Sequence, residues 1–371
     1  MIYFDNAATG GFKPAAVTDC AVNTLKYLLC NPGRSEHRLS LFALNAVTET
    51  RNALSSFFNG GGAAENVIFT KNCTEALNTA IFGILNKGDH VITTAMEHNS
   101  TLRPLFHLES EGVISLDIVD NGFESVKEKI RENTRLICCN QVSNVNGEEN
   151  RDIEKIGRLA KENGIVFLVD GAQSAGHIKI DMKSMNINVL CIPTHKGMYG
   201  FTGGCMIFDE SVFIKPLTFG GTGTETFNKD QPAFPPERFE SGTLNLPVIV
   251  SLRESVFYVE KNMDFFKKRL TNLTETLIKE LNALERITVF SKKNGSGIVA
   301  FSVAPFSSGE VADFLNKNYD IAVRSGFHCA PLQHKRLKTD KDGLIRVSLA
   351  AENTENELSV LIAALRKLCL S

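Results

Sequence analysis

The sequence lacks several features that would each point to a function. It has no basic excess: 40 Lys and Arg against 42 Asp and Glu give a formal net charge of -2, so nothing in the balance argues for a nucleic-acid partner. No segment is apolar enough to span a bilayer, and the opening MIYFDNAATGGF has neither the cationic start nor the apolar run of a signal peptide. The expectation is a cytoplasmic protein without a membrane partner. No two cysteines are spaced C-x-x-C, and the nine present, an odd number, are scattered from Cys20 to Cys369. That argues against a metal site or a disulfide framework and makes most of them small core residues.

What is present is an ordinary globular composition, with 371 residues, 43% of them hydrophobic and 22% charged. Such a chain can bury a sizeable core, more naturally as two domains than one. Apolar runs at 66–70, 90–93, 114–119, 136–140, 165–169, 189–192 and 205–208 read as strands. They alternate with helical patterns at 74–85, 100–111, 123–133 and 152–163, after two helices at 14–29 and 39–58 and a turn at Gly60-Gly61-Gly62. The alternation implies an α/β fold with a mostly parallel sheet flanked by helices. Helical pattern fills 246–284, and short strands at 287–290, 296–303, 321–324 and 344–349 then mix with helices at 309–319 and 354–368, a smaller α+β unit. The expected division is a large domain, 16–258, and a small one made of 1–15 with 259–371.

Two of the apolar runs end in polar chemistry. Asp170 and Gln173 follow 165–169, and Thr194, His195 and Lys196 follow 189–192, which places all five at the carboxyl edge of one sheet, where open α/β sheets bind ligands. A lysine and an acid held together suit pyridoxal phosphate, which needs an amine for its aldehyde and a carboxylate beside its ring nitrogen. Alone, either residue would read as a turn residue or a solvated cation. The turn Thr70-Lys71-Asn72-Cys73-Thr74-Glu75 between a strand and a helix is a candidate phosphate cradle, and equally an ordinary helix cap. His98, just past a strand, can lie on a ring and move protons. Cys329 stands in a loop of Gly, His and Pro with Arg324 and His328 nearby, placed for exposure as a nucleophilic thiolate. Arg346 offers a planar fork suited to a carboxylate. The glycine-rich stretch 219–228 opens no helix in a βαβ setting and is not read as a dinucleotide site.

VDGAQ followed by a strand and THK resembles the class V aminotransferase and cysteine desulfurase family, fold type I pyridoxal-phosphate enzymes. The resemblance continues in order over nearly the whole chain: YFDNAAT at 3–9, MEHN at 96–99, QVSNVNG at 141–147, RFESGT at 238–243, VRSGFHCAPL at 323–332 and IRVS with ENT at 345–354. It implies that Lys196 holds pyridoxal 5'-phosphate, Asp170 faces the ring nitrogen and Gln173 the phenolic oxygen, and His98 stacks on the ring and manages the substrate thiol proton. It further implies that Thr74, Thr194, His195 and the partner's Thr243 hold the phosphate, with Cys73 also at the cofactor, in a homodimer with shared active sites. Asn144 approaches the ring, and with Arg346 it would hold the substrate carboxylate. Like group II cysteine desulfurases, the chain would convert L-cysteine to L-alanine, taking sulfur on Cys329 and passing it to an acceptor protein. The alternative is a selenocysteine lyase acting on L-selenocysteine, or another class V aminotransferase. Two departures stand out: Cys73 replaces an expected hydroxyl, and the turn after Lys196 is one residue longer than usual. His37 occupies the place of a family histidine near the site mouth, although a lone histidine there more often caps a helix.

Overall fold

A computed structural model describes residues 1–60 and 62–370, so the middle of the expected 60–62 turn, Gly61, lies outside the described residues. The chain enters through a short strand, β1 (Ile2–Tyr3), and two helices, α1 (Ala15–Tyr27) and α2 (Arg38–Phe58). The sheet strands follow as β2 (Val67–Thr70), β3 (Asp89–Thr94), β4 (Ile114–Val119), β5 (Thr134–Asn140), β6 (Val166–Asp170), β7 (Val189–Pro193) and β8 (Gly204–Phe208). Between them lie α3 (Cys73–Ile84), α4 (Asn99–Ser110), α5 (Phe123–Lys127) and α6 (Ile153–Glu162). The seven strands lie in the order β2-β8-β7-β6-β5-β3-β4. Within this sheet β8 alone runs against its neighbours, β7 and β2.

Strand alternation decides what each face buries. Ile137, Cys139, Phe167, Val169, Leu190 and Ile192 point into a core under α2 and α6. Leu136, Cys138, Val166, Leu168, Val189 and Cys191 point the other way, against α3 and α4. Adjacent Cys138 and Cys139 thus fill opposite sides of one sheet, as small apolar side chains.

A helix of 37 residues, α7 (Leu246–Asn282), about 55 Å long by its rise, ties this sheet to a second core. Leu246, Ile249 and Leu252 at its start pack in the first core. Leu270, Leu273, Leu277 and Leu281 near its end pack with a second sheet. That sheet has the order β12-β13-β10-β9 and contains β9 (Ile287–Val289), β10 (Ile298–Val303), β12 (Arg324–Gly326) and β13 (Leu344–Ser348). It is covered by α8 (Ser308–Tyr319) and α10 (Glu355–Leu370). Ser307 and Glu310 start α8 with a reciprocal capping box. β1 pairs with β11 (Ile321–Ala322), which carries Phe4 into the second core.

Three local expectations are corrected. The helix expected over 123–133 stops at Lys127, because the sheet edge captures the chain: Arg131 N–H donates to Thr134 Oγ1 at 2.7 Å and His90 N–H to the Asn133 carbonyl at 2.9 Å. The strand expected over 321–324 is two short ones with different partners, β11 beside β1 and β12 beside β13. The strand expected from 296 begins at Ile298, because Asn294 Oδ1 accepts from the Ser296 and Ile298 amides and holds the chain in a turn. A helix not anticipated, α9 (Pro331–Leu337), directly follows Cys329, with proline in its first turn where the missing N–H costs nothing. Among the described residues no helix is long and apolar enough to cross a membrane.

Candidate active site

Asp170 is the last residue of β6, paired with Cys191 of β7, and Lys196 follows the end of β7 by three positions. The two turns meet backbone to backbone. A Cβ at Gly176 would run into the Gly197 carbonyl, and one at Gly197 into the Ala175 carbonyl. The glycines therefore allow the two turns to close around one cavity.

That cavity, about 220 Å³, is lined by Cys73, Thr74, His98, Asn144, Asp170, Gln173, His195, Lys196 and Arg346, nine of the residues singled out from sequence, together with Arg324. Burial lowers the Lys196 amine from its ordinary value, against the opposing pull of Cys73 and Asp170. The same burial raises the Asp170 carboxyl, offset in part by the Ala172 amide, which donates to Oδ1 at 2.9 Å, and by the Lys196 charge. Cys73 donates a long S–H contact of 3.9 Å to the same oxygen, and burial pushes its thiol well up, so it sits there as a neutral group.

One end of the cavity is formed by the start of α3, with Cys73 and Thr74 in its lining. Asn72 caps the helix by accepting from Glu75 N–H at 2.9 Å, and helix geometry leaves the Cys73 and Thr74 amides without an intrahelical acceptor. Thr74 and Ser100 hydroxyls lie 2.8 Å apart at this end. His98 caps α4: its Nδ1 accepts from Ser100 N–H at 3.0 Å, which puts the proton of the neutral ring on Nε2. Burial first, then the Lys196, Arg324, Arg346 and Arg103 charges, lower His98 to about 4. His195 is likewise lowered to about 4, mainly by burial, and meets Thr9 Oγ1 at 3.0 Å.

Several side chains do something other than the sequence suggested. Thr194 donates to the Phe201 carbonyl and lines a neighbouring cavity of about 620 Å³ instead, together with Thr243. Thr243 is exposed, in an irregular segment whose base is fixed by Glu240, which accepts from Phe69 N–H at 2.7 Å and Arg51 Nη1 at 3.0 Å. Asn144 commits its Nδ2 to the His328 carbonyl at 2.6 Å, leaving a buried Oδ1 without a partner. It therefore presents an acceptor, not the donor that a carboxylate needs. Gln173 commits its Nε2 to the Ala7 carbonyl at 3.0 Å. Arg346 is fully buried. It pairs with Asp5 at 2.8 Å and donates to the Asn144 carbonyl at 2.9 Å, while its Nε has no partner. His37 caps α2, accepting from Ser40 N–H at 3.1 Å.

Cys329 is exposed at the mouth, outside the cavity lining. Its carbonyl accepts from Asn99 N–H at 2.7 Å, next to His98, and its Sγ lies 3.9 Å from Nη2 of the cavity residue Arg324. The longer turn after Lys196 is absorbed at Tyr199, left-handed at φ +57, whose hydroxyl reaches Glu352 at 3.2 Å. Sequence reasoning noticed Arg324 only as a neighbour of the thiol and Asp5 only as part of a motif, and it missed Ser100 as a site residue.

The donor set fits pyridoxal phosphate: a buried amine, a buried acid, unpartnered amides at a helix start and an aromatic ring beside them. The fold is that of the fold type I pyridoxal-phosphate enzymes. A family model described as aminotransferase class-V matches residues 2–361, and the chain belongs to the class V aminotransferase family. A curated relative from Pyrococcus abyssi, described as "Probable cysteine desulfurase", is 33% identical over all of this chain and 95% of its own length. A cysteine desulfurase from an Escherichia coli O7:K1 strain is 29% identical over 99% of this chain and 93% of its own. The solved apo structure of a cysteine desulfurase from Thermococcus onnurineus NA1 matches with a TM-score of 0.89 and 30% identity, covering 100% of this chain and 94% of that one.

Proposed function

We propose that this protein is a pyridoxal-phosphate-dependent cysteine desulfurase: it converts L-cysteine to L-alanine and carries the sulfur as a persulfide on Cys329 for transfer to an acceptor protein. The observation that carries the reading is the bridge made by Arg324, which lines the Lys196 cavity and lies 3.9 Å from the exposed Cys329 Sγ. When bound, the cofactor supplies an electron sink for the bonds around the substrate α-carbon. Lys196, whose burial favours the neutral amine, would hold the cofactor and then take the α-proton. Asp170 would keep a proton on the ring nitrogen. The unpartnered N–H groups at the start of α3, with Thr74, would hold the phosphate, and Thr243 would reach the phosphate of a second copy. Arg346 Nε–H and Arg324 offer N–H groups to the substrate carboxylate. With its ring proton on Nε2, His98 meets the substrate as a donor.

The Cys329 thiolate attacks the substrate sulfur; an S–S bond forms as the Cβ–S bond breaks. The carbon frame keeps the electron pair of the broken bond and takes up protons to leave as alanine. Supporting a homodimer, Leu25, Tyr27, Leu29, Leu41 and Phe42 of the α1–α2 region are exposed, and Tyr27 and Phe42 line one surface groove, the kind of apolar surface that marks an interaction site. The two cores sharing α7, with the N-terminal strand in the second, support the division into 16–258 and 1–15 with 259–371. In Cys329→Ala the absorbance of the bound cofactor should persist, while persulfide on the protein, read by mass spectrometry after L-cysteine, should vanish. Undiminished sulfur transfer in that variant would refute the proposal.

A further inference from the structure

Beneath the loop that presents Cys329, two buried histidines make a hydrogen-bonded relay of fixed polarity. His328 and His334 are almost wholly shielded from solvent, and their rings stack with centroids 5.5 Å apart at 21°. His328 Nε2 lies 3.5 Å from the Arg324 carbonyl, its Nδ1 lies 3.4 Å from His334 Nε2, and His334 Nδ1 lies 2.8 Å from Thr339 Oγ1. A carbonyl only accepts, so His328 carries its proton on Nε2 and accepts at Nδ1. His334 must then donate from Nε2 and accept the Thr339 hydroxyl at Nδ1. Every ring nitrogen is used, and with both rings neutral the donors run in one direction, from Thr339 Oγ1 to the Arg324 carbonyl.

The loop above needs this support. His328 and Cys329 are consecutive left-handed residues, at φ +49 and +57, and such a conformation costs a side-chain-bearing residue roughly 1–2 kcal/mol. It persists where the surroundings over-determine it. Asn144 holds the His328 carbonyl and the Asn99 amide holds the Cys329 carbonyl. The third hold is the His328 ring, buried while the neighbouring thiol is exposed. We propose that His334 is a positioning residue for Cys329, acting through His328 to fix the loop so that the thiol stands beside Arg324; this rests on the sulfur-accepting role given to Cys329 above.

The test uses the full-length, cofactor-loaded protein. His334→Phe keeps a ring in the stack and removes both nitrogens. Amide hydrogen exchange at Asn99 and at 327–330 should quicken about tenfold, the size expected for losing one buried hydrogen bond, while exchange in β6 and β7 stays at the wild-type rate. Persulfide formation on Cys329 should slow by about the same factor with the bound-cofactor absorbance unchanged. His334→Gln, whose amide N–H can still donate to His328, should recover most of both. Should the Phe variant not fold, Thr339→Val removes the hydroxyl that holds the His334 ring at Nδ1 and should shift both readouts in the same direction. Loop exchange within twofold of wild type, or β6 and β7 loosening in step with the loop, overturns the proposal. If wild type forms no persulfide, the desulfurase reading fails, while the exchange data still decide whether His334 holds the loop.

Discussion

Glu97 sits against the site without lining its cavity, fully shielded from solvent. Its Oε1 accepts from Asn140 N–H at 2.7 Å and from the Thr94 hydroxyl at 2.8 Å, and its Oε2 has no partner. Burial pushes it from 4.5 to about 8, with the Asp170 charge adding to the rise and the two hydrogen bonds opposing it. The folded chain thus keeps a proton there that the unfolded chain loses above 4.5. Its contribution to stability is complete below 4.5 and is lost as pH climbs toward 8. Glu97→Gln removes that proton exchange, so the Tm of the variant minus that of wild type should become more positive between pH 5 and pH 8 in calorimetric scans. A flat difference would mean that Glu97 is ionised in the fold. Lys196, Asp170 and His98 were legible in the sequence because each follows an apolar run whose end fixes its place on the sheet edge. Asp5 was legible only as part of a motif, since its contact with Arg346 spans 341 positions. Which end of the Asn144 or Gln173 amide faces the site depends on the neighbour that takes its N–H, and no spacing encodes that.

At the scale of elements, the site depends on two turns that touch through their backbones. Gly176 has φ +85 and no room for a Cβ beside the Gly197 carbonyl. Gly164 has φ +65 and nothing within 4 Å. Ala at 164 should therefore cost only the left-handed penalty, about 1–2 kcal/mol. Ala at 176 adds a backbone collision that pushes the Lys196 turn away from Asp170, with a loss of more than about 3 kcal/mol and weakened cofactor retention. Urea denaturation of the two variants checks the order, and equal losses would show that the turns do not constrain each other. The parallel strands were legible because β-branched and apolar runs buried on both faces have few alternatives. The split between β11 and β12 was not, since a continuous apolar pattern does not reveal that the chain changes partners at Val323. Nor was the early end of α5, which is set by Thr134 and His90 on the sheet.

For the whole molecule, the change from long alternating elements to short mixed ones marked the second core, but the exposed apolar face proposed to meet a second copy stayed hidden. Apolar positions on 14–29 and 39–58 fit burial against the sheet as well as burial against a partner, and only the fold shows which remain outside. Phe42 is 64% exposed and Leu25 53%. The patch is continuous with the segment bearing Thr243: Arg34, between α1 and α2, donates to the Gly242 carbonyl at 2.9 Å and the Gly221 carbonyl at 3.2 Å, and Leu44 shares a cavity with Gly242 and Leu244. On the proposed homodimer, a partner covering the patch would lie beside the segment that bears Thr243, which is outside the cavity of its own chain. Phe42→Glu places a charge on this face without touching the monomer core. Sedimentation velocity should show the variant shifted to monomer, and titration with pyridoxal phosphate should show affinity reduced by about tenfold or more, the loss of one charge-assisted hydrogen bond to a phosphate. A variant that stays dimeric with unchanged cofactor affinity would place the partner elsewhere. One that turns monomeric yet keeps full affinity would separate Thr243 from the phosphate and leave each site complete within its own chain.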